Sequence, residues 1–309
     1  MKSRKNLLLT IFFIGMILVH LVPLYFNLNI YSVFNGAKIL AFIVLIELLL
    51  PLYIYLIAKY PELRPNWKNP VLISATLFLI ILTISTLLGE DWSRSLFGRI
   101  DRSSSLFLFF HYYTYIFYLV ALFSAKQKYL MTTLTLTALC GTIGTFVGML
   151  EHTRVIDAIF ADSDRASSLF GNPLFFAAFL VVPLFLSLFL ATQNRKNKIL
   201  TYFWHANALY LFYGIWITSG TGALLGVLFG LGLYLLLKLL IGSSKKKVFV
   251  TLGILGLLFV SISGITYSKL NLSQHDSFRS ALIDLSYSAT TRYDQWGAAL
   301  RGFHERPWL

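Results

Sequence analysis

Nine stretches of this chain are almost wholly apolar, each close to the ~20 residues that a helix needs to cross a hydrocarbon layer: 7–26, 39–58, 71–88, 106–123, 130–150, 174–191, 199–217, 223–240 and 248–265. Such segments leave the backbone one economical solution. In lipid every N–H and C=O must bond within its own segment or within a closed barrel, so uninterrupted apolar runs of this length predict helices. The expected fold is therefore all-α, a polytopic transmembrane bundle of about nine spans. Composition agrees, because a chain of 309 residues that is 57% hydrophobic and 13% charged carries more apolar surface than a soluble domain of that size buries. No small-residue cleavage site follows Pro23, so the first stretch reads as a retained anchor and not as a signal peptide.

The net charge of +13 would suggest nucleic acid binding in a soluble protein, but its distribution points elsewhere. With the N-terminus placed in the cytoplasm and the sides alternating, the inner segments collect fifteen Lys and Arg against the single acid Glu62, while the outer segments carry bases and acids in balance. That asymmetry is the positive-inside signature. The expected partners are membrane lipids, with no nucleic acid.

The inner connections are short, the longest running from 59 to 70, and no Walker-type glycine loop occurs anywhere. The substantial polar segments fall outside: loops 89–105 and 151–172 within a multi-span domain of residues 1–265, and the segment 266–309, which reads as the start of a large extracytoplasmic loop. A group-transfer reaction on that side requires a donor already activated and already carried across the membrane.

Candidate chemistry gathers in those outer segments. Arg94, Arg99 and Arg102 lie in one loop, and guanidinium forks bind phosphate oxygens bidentately, although lipid headgroups and Glu90, Asp91 and Asp101 offer the same cations plainer partners. Arg165 opens a block that ends in Phe170-Gly171-Asn172-Pro173, with Asn172 and Pro173 at the N-cap and first-turn positions of the next helix. Free N–H groups there can face an anion, or the same residues can simply start the helix. Asp162-Ser163-Asp164 has the spacing of a metal-binding carboxylate pair, on the side where nucleotide sugars are absent. Arg292 and Trp296 stand one helical turn apart, ahead of Arg301 and His304, and suit a sugar diphosphate or a helix lying on the membrane surface.

Inside the spans, Glu47 is an ionisable group at hydrocarbon depth, functional by default or bonded to a neighbouring helix. His20, His111 and His205 are expected to be packed and hydrogen-bonded. Glycines four residues apart, at Gly144 and Gly148 and at Gly222, Gly226 and Gly230, predict close helix contacts. The lone Cys140 supports neither a disulfide nor a cysteine metal site.

In order along the chain, Leu96-Phe97-Gly98-Arg99-Ile100-Asp101-Arg102, the Arg165 to Pro173 block, Thr218-Ser219-Gly220-Thr221-Gly222-Ala223 and Arg292 to Trp296 resemble the motifs of the O-antigen ligase and Wzy-type O-antigen polymerase family of integral-membrane glycosyltransferases. The resemblance implies metal-independent transfer, with no cofactor, of a glycan from an undecaprenyl-diphosphate donor to a hydroxyl on a lipid-anchored sugar, a growing glycan or a protein. It implies Arg292 as the catalytic cation, with Arg165, Arg99, Arg102, Trp296, Asn172 and Thr221 binding substrate, in a bacterial inner membrane with the active face extracytoplasmic. Two departures accompany it. Thr221 occupies a position where the family commonly has Arg, and the chain stops at Leu309, where the family continues to a functional His and further spans, so the sequence is expected to be a C-terminally truncated piece. A lipid-linked glycan transporter or flippase, and a non-catalytic scaffold, are the alternatives that the residues leave open.

Overall fold

The computed structural model describes residues 2–99, 104–156, 165–240, 253 and 293–305, and among these the regular structure is helical throughout. Nine helices follow in order: α1 (Lys2–Leu21), α2 (Asn35–Lys59), α3 (Pro70–Leu88), the short α4 (Trp92–Phe97), α5 (Leu106–Ala125), α6 (Gln127–His152), α7 (Pro173–Gln193), α8 (Lys198–Ile217) and α9 (Thr221–Leu240). Six of them, α1, α2, α3, α5, α6 and α7, are long and apolar enough to cross a membrane. The protein is thus a multi-pass helical membrane protein, with six clear spans among the described residues. α8 carries His205 and Asn207 among its 20 residues, which dilutes its hydropathy, and the stretch 248–265 lies outside the described residues except for Gly253.

The helix starts are written in the sequence. Asn69, Asp91, Ser105, Asn172 and Asn197 each accept a hydrogen bond from a first-turn N–H, and Pro70 and Pro173 occupy first-turn positions where no N–H is needed. Caps of this kind contribute about 1 kcal/mol each.

The chain divides into two compact units, Met1–Gly226 and Val227–Leu309. In the first, α1, α2 and α5 share an aromatic core: the Phe12 ring meets Tyr118 edge-on at 5.1 Å and Tyr53 lies 4.8 Å from Tyr118. The Tyr118 hydroxyl donates to the Ile46 carbonyl at 2.9 Å, one residue before the Glu47 carbonyl that Pro51, lacking an N–H, leaves unpaired in the helix. α6, α7 and α8 form the other core. There Gly141 faces Pro183 so closely that a Cβ would stand 2.6 Å from the proline ring, and a Cβ on Gly148 would stand 2.9 Å from Phe176.

A buried polar chain binds these three helices: Thr142 donates to Asn207 Oδ1 at 2.7 Å, and Asn207 Nδ2 donates to Ser187 Oγ at 2.9 Å. Large apolar side chains such as Leu7, Ile11, Leu77 and Ile81 point outward, as a lipid solvent requires. Lys5 and Glu62 meet at 2.6 Å, so the N-terminus and the α2–α3 connection share one end of the bundle. The α1–α2, α4–α5, α6–α7 and α8–α9 connections lie at the opposite end, termed distal below. In the second unit the later part of α9 and residues 293–305 are helical.

The glycine expectation divides. Gly144 and Gly148 sit against Phe176 and its neighbours, whereas at Gly222 and Gly226 a Cβ would meet nothing within 4 Å, so the four-residue repeat of α9 has no close contact at these two positions among the described residues. His205 also departs from expectation, since it lies exposed on α8.

Candidate functional site

At the distal end the segment from Arg165 to Pro173 does not loop away from the bundle but folds onto it. Ser167 and Ser168 are buried, which leaves their backbone N–H groups without water, and the Glu151 carboxyl at the end of α6 accepts both through Oε2 at 3.0 and 2.7 Å. Ser168, in a left-handed conformation with φ of 51°, donates its hydroxyl to the Gly144 carbonyl at 2.7 Å. A 3₁₀ turn over Ser168–Phe170 then leads to Gly171, whose φ of 63° and contact with the Phe34 ring allow no side chain. Asn172 accepts from the Leu174 N–H at 2.8 Å and launches α7, as the sequence predicted.

The same block is tied to the α8–α9 turn. Arg165 Nε donates to the Thr218 carbonyl at 2.8 Å, and the Ala166 N–H donates to the Ile217 carbonyl at 3.2 Å. Thr218 is fully buried, and a Cβ on Gly220 would stand 2.7 Å from Ala177 of α7, so the turn is fixed from both sides. Two motifs separated by 53 residues in the chain are thereby held in direct contact. The Arg165 guanidinium is half-buried, with its Nε–H anchored on the α8–α9 turn.

The other predicted residues are distributed as follows. Arg99 is exposed on the α4–α5 connection, just after Gly98, whose left-handed φ of 66° turns the chain back over α5. Thr221 begins α9. Trp296 is exposed in the helical segment 293–305 of the second unit. Arg102, Arg292 and the Asp162-Ser163-Asp164 pair lie outside the described residues. No cluster of three or more His, Cys, Asp or Glu side chains able to hold a metal occurs among the described residues.

Sequence reasoning missed two residues. Glu151 stands at the end of an apolar run, and no periodicity connects it to the serines sixteen residues later. The other is Lys38, whose ammonium donates to the Tyr25 carbonyl at 2.8 Å and to the Leu169 carbonyl at 2.6 Å. It thereby joins the α1–α2 connection to the Arg165 block. Its proximity to the Phe34 and Phe170 rings, at 5.6 and 5.2 Å, adds cation–π attraction. The one signal was a lysine at the start of an apolar run.

The histidines and Glu47 resolve into pairs. His20 lies between the Tyr115 and Thr133 hydroxyls at 3.0 and 3.2 Å. His111 bonds the Phe107 carbonyl through Nδ1 at 2.8 Å and Glu47 through Nε2 at 3.2 Å, so Glu47 bonds a neighbouring helix. Comparison with protein-family models, with curated proteins and with solved structures found no match to this chain.

Proposed function

We propose that the protein is a membrane glycosyltransferase of the O-antigen-ligase type, acting on the extracytoplasmic face of a bacterial inner membrane with its N-terminus in the cytoplasm. A glycan passes from an undecaprenyl-diphosphate carrier to an acceptor hydroxyl, and neither metal nor cofactor takes part. The acceptor oxygen bonds to the anomeric carbon as the bond from that carbon to the diphosphate oxygen breaks. The hydroxyl proton goes to a general base, and the lipid diphosphate leaves with the bonding pair. Arg292 stabilises the charge that grows on the diphosphate, and the Arg165 fork assists through its terminal nitrogens while its Nε–H holds Thr218. Arg99, Arg102, Trp296, Asn172 and Thr221 complete the substrate contacts in this reading.

The observation that carries the reading is the tie between Arg165 and Thr218, because it joins two of the four segments on which the family resemblance rests. The test is glycan transfer in proteoliposomes loaded with a lipid-diphosphate-linked glycan. Arg292→Ala and Arg165→Ala should each reduce transfer by about 100-fold or more, the scale of removing one prearranged donor to developing charge, with expression and thermal stability retained. Full activity in Arg292→Ala would sink the assignment.

A further inference from the structure

A cavity of about 380 Å³ opens between α1, α2, α5, α6 and α7 in the first unit, lined among others by His20, Asn35, Lys38, Phe42, Tyr115 and Thr137. Its size falls within the range of ligand pockets, roughly 300–1,000 Å³, and is far above the ~30 Å³ that one water occupies. Its wall is mainly apolar, with a few polar groups among them.

The charge in this wall is unbalanced. Lys38 has three donor hydrogens; two bonds go to the carbonyls of Tyr25 and Leu169, and no carboxylate pairs with it among the described residues. Carbonyl dipoles and two ring faces lower the cost of holding an ammonium in a span, but they do not neutralise it. The other titratable groups in the wall are His20, which has a hydroxyl on each ring nitrogen, and Tyr112, Tyr115 and Cys140, and none of them is a carboxylate. An apolar chamber with one uncompensated cation at the distal end of a helix bundle is complementary to an amphiphile with an anionic head.

We infer that this cavity is a lipid-binding site in which Lys38 receives a phosphate headgroup while the chamber takes up the first part of the apolar chain. The site is separate from the transfer chemistry proposed above and stands whether or not the protein is a glycosyltransferase. Two sources share the chemistry: an isoprenyl phosphate and an anionic phospholipid. Because Lys38 also holds the Leu169 carbonyl, an occupant would sit directly against the Arg165 block.

The test is native mass spectrometry of the delipidated, detergent-purified full chain, titrated separately with an isoprenyl phosphate, phosphatidylglycerol, diacylglycerol and inorganic phosphate. The wild type should retain one phosphate-bearing lipid in preference to diacylglycerol. Lys38→Met should weaken that binding by at least about tenfold, the loss expected for one charge-assisted hydrogen bond, and Lys38→Arg should restore most of it. Thr137→Phe fills the chamber while leaving every Lys38 bond in place, so it decides the matter if Lys38→Met does not fold, and it too should abolish retention. Preference for the isoprenyl phosphate assigns the site to a carrier lipid, and equal retention of phosphatidylglycerol assigns it to a bilayer lipid. Undiminished binding in Thr137→Phe, equal binding of diacylglycerol, or inorganic phosphate binding as tightly as either lipid overturns the proposal.

Discussion

Glu151→Ala should release the Arg165 block from the bundle without unfolding the bundle itself. The carboxyl oxygen Oε2 accepts from two N–H groups, those of Ser167 and Ser168, and both residues are almost wholly inaccessible, at 2% and 0% exposure. Alanine leaves both donors buried without an acceptor, at about 1–3 kcal/mol each, so the closed loop loses roughly 2–6 kcal/mol relative to an opened one. At ~1.4 kcal/mol per factor of ten, even the lower limit raises the open population about 30-fold. Amide hydrogen exchange of the 165–172 segment in detergent micelles reads this directly, with the α1–α2–α5 core as the internal reference. Glu151→Gln is the control. It keeps a carbonyl oxygen at the place of Oε2 and puts its amide nitrogen where Oε1, which has no partner among the described residues, now stands, so its exchange should remain within about tenfold of wild type. Exchange in Glu151→Ala within about threefold of wild type would refute the view that this carboxyl clamps the loop.

Glycine substitutions should separate by helix. Gly141→Ala drives a methyl to 2.6 Å from Pro183 and should cost about 1–3 kcal/mol, read as a lower thermal midpoint in detergent, whereas Gly222→Ala meets nothing within 4 Å and should be neutral or stabilising by up to ~1 kcal/mol. Asn207→Ala breaks the Thr142–Asn207–Ser187 chain, and a double-mutant cycle of Asn207→Ala with Thr142→Val should return a coupling of about 0.6–1.7 kcal/mol; a coupling of zero would remove that network from the account of α6–α8 packing. The hydrogen bond from Lys5 holds the Glu62 carboxyl below its usual value of 4.5, so its contribution to anchoring the N-terminus is present above that value and fades as pH falls through the depressed one. Proteolysis near residues 2–5 should therefore accelerate at acid pH in the wild type, and Glu62→Gln should be fast at every pH.

The helices were legible because a 20-residue apolar run has one solution in lipid, and their starts were legible because Asn172-Pro173 is a local signal that needs nothing from the rest of the chain. Contacts between distant positions were not. Gly144 and Gly222 have the same neighbours in sequence terms, small residues at four-residue spacing, yet one meets Phe176 and the other meets open space, since the repeat specifies a smooth face without specifying what lies against it. The approach of Arg165 to Thr218 was not legible, because the two lie 53 residues apart and no local signal links them. Glu151 and Lys38 escaped notice altogether, because each works on backbone atoms, N–H groups in one case and carbonyls in the other, and backbone partners leave no trace in residue identity.

How the polar groups are satisfied bears on which of the proposed functions fits the bundle. A transporter that moves its substrate through the membrane needs polar groups at mid-depth that can exchange partners. Here several polar groups inside the spans are taken up by one another: Asn207 by Thr142 and Ser187, His20 by Tyr115 and Thr133, and Glu47 by His111. In the last pair, Nδ1 of His111 gives its hydrogen to the Phe107 carbonyl, so the bond between Nε2 and Oε1 is held by a single further proton, whichever atom carries it. Among the described residues unused capacity is found in the uncompensated ammonium of Lys38 and in Glu151 Oε1, both toward the distal end, and in the buried Thr145 hydroxyl of α6. Lys38 bonds the Arg165 block and Glu151 clamps it, so the two charged groups among these converge on one loop at one face. That distribution favours recognition of a headgroup at the membrane surface over passage of a substrate through the bundle, and it is why the transferase reading is preferred to the flippase one.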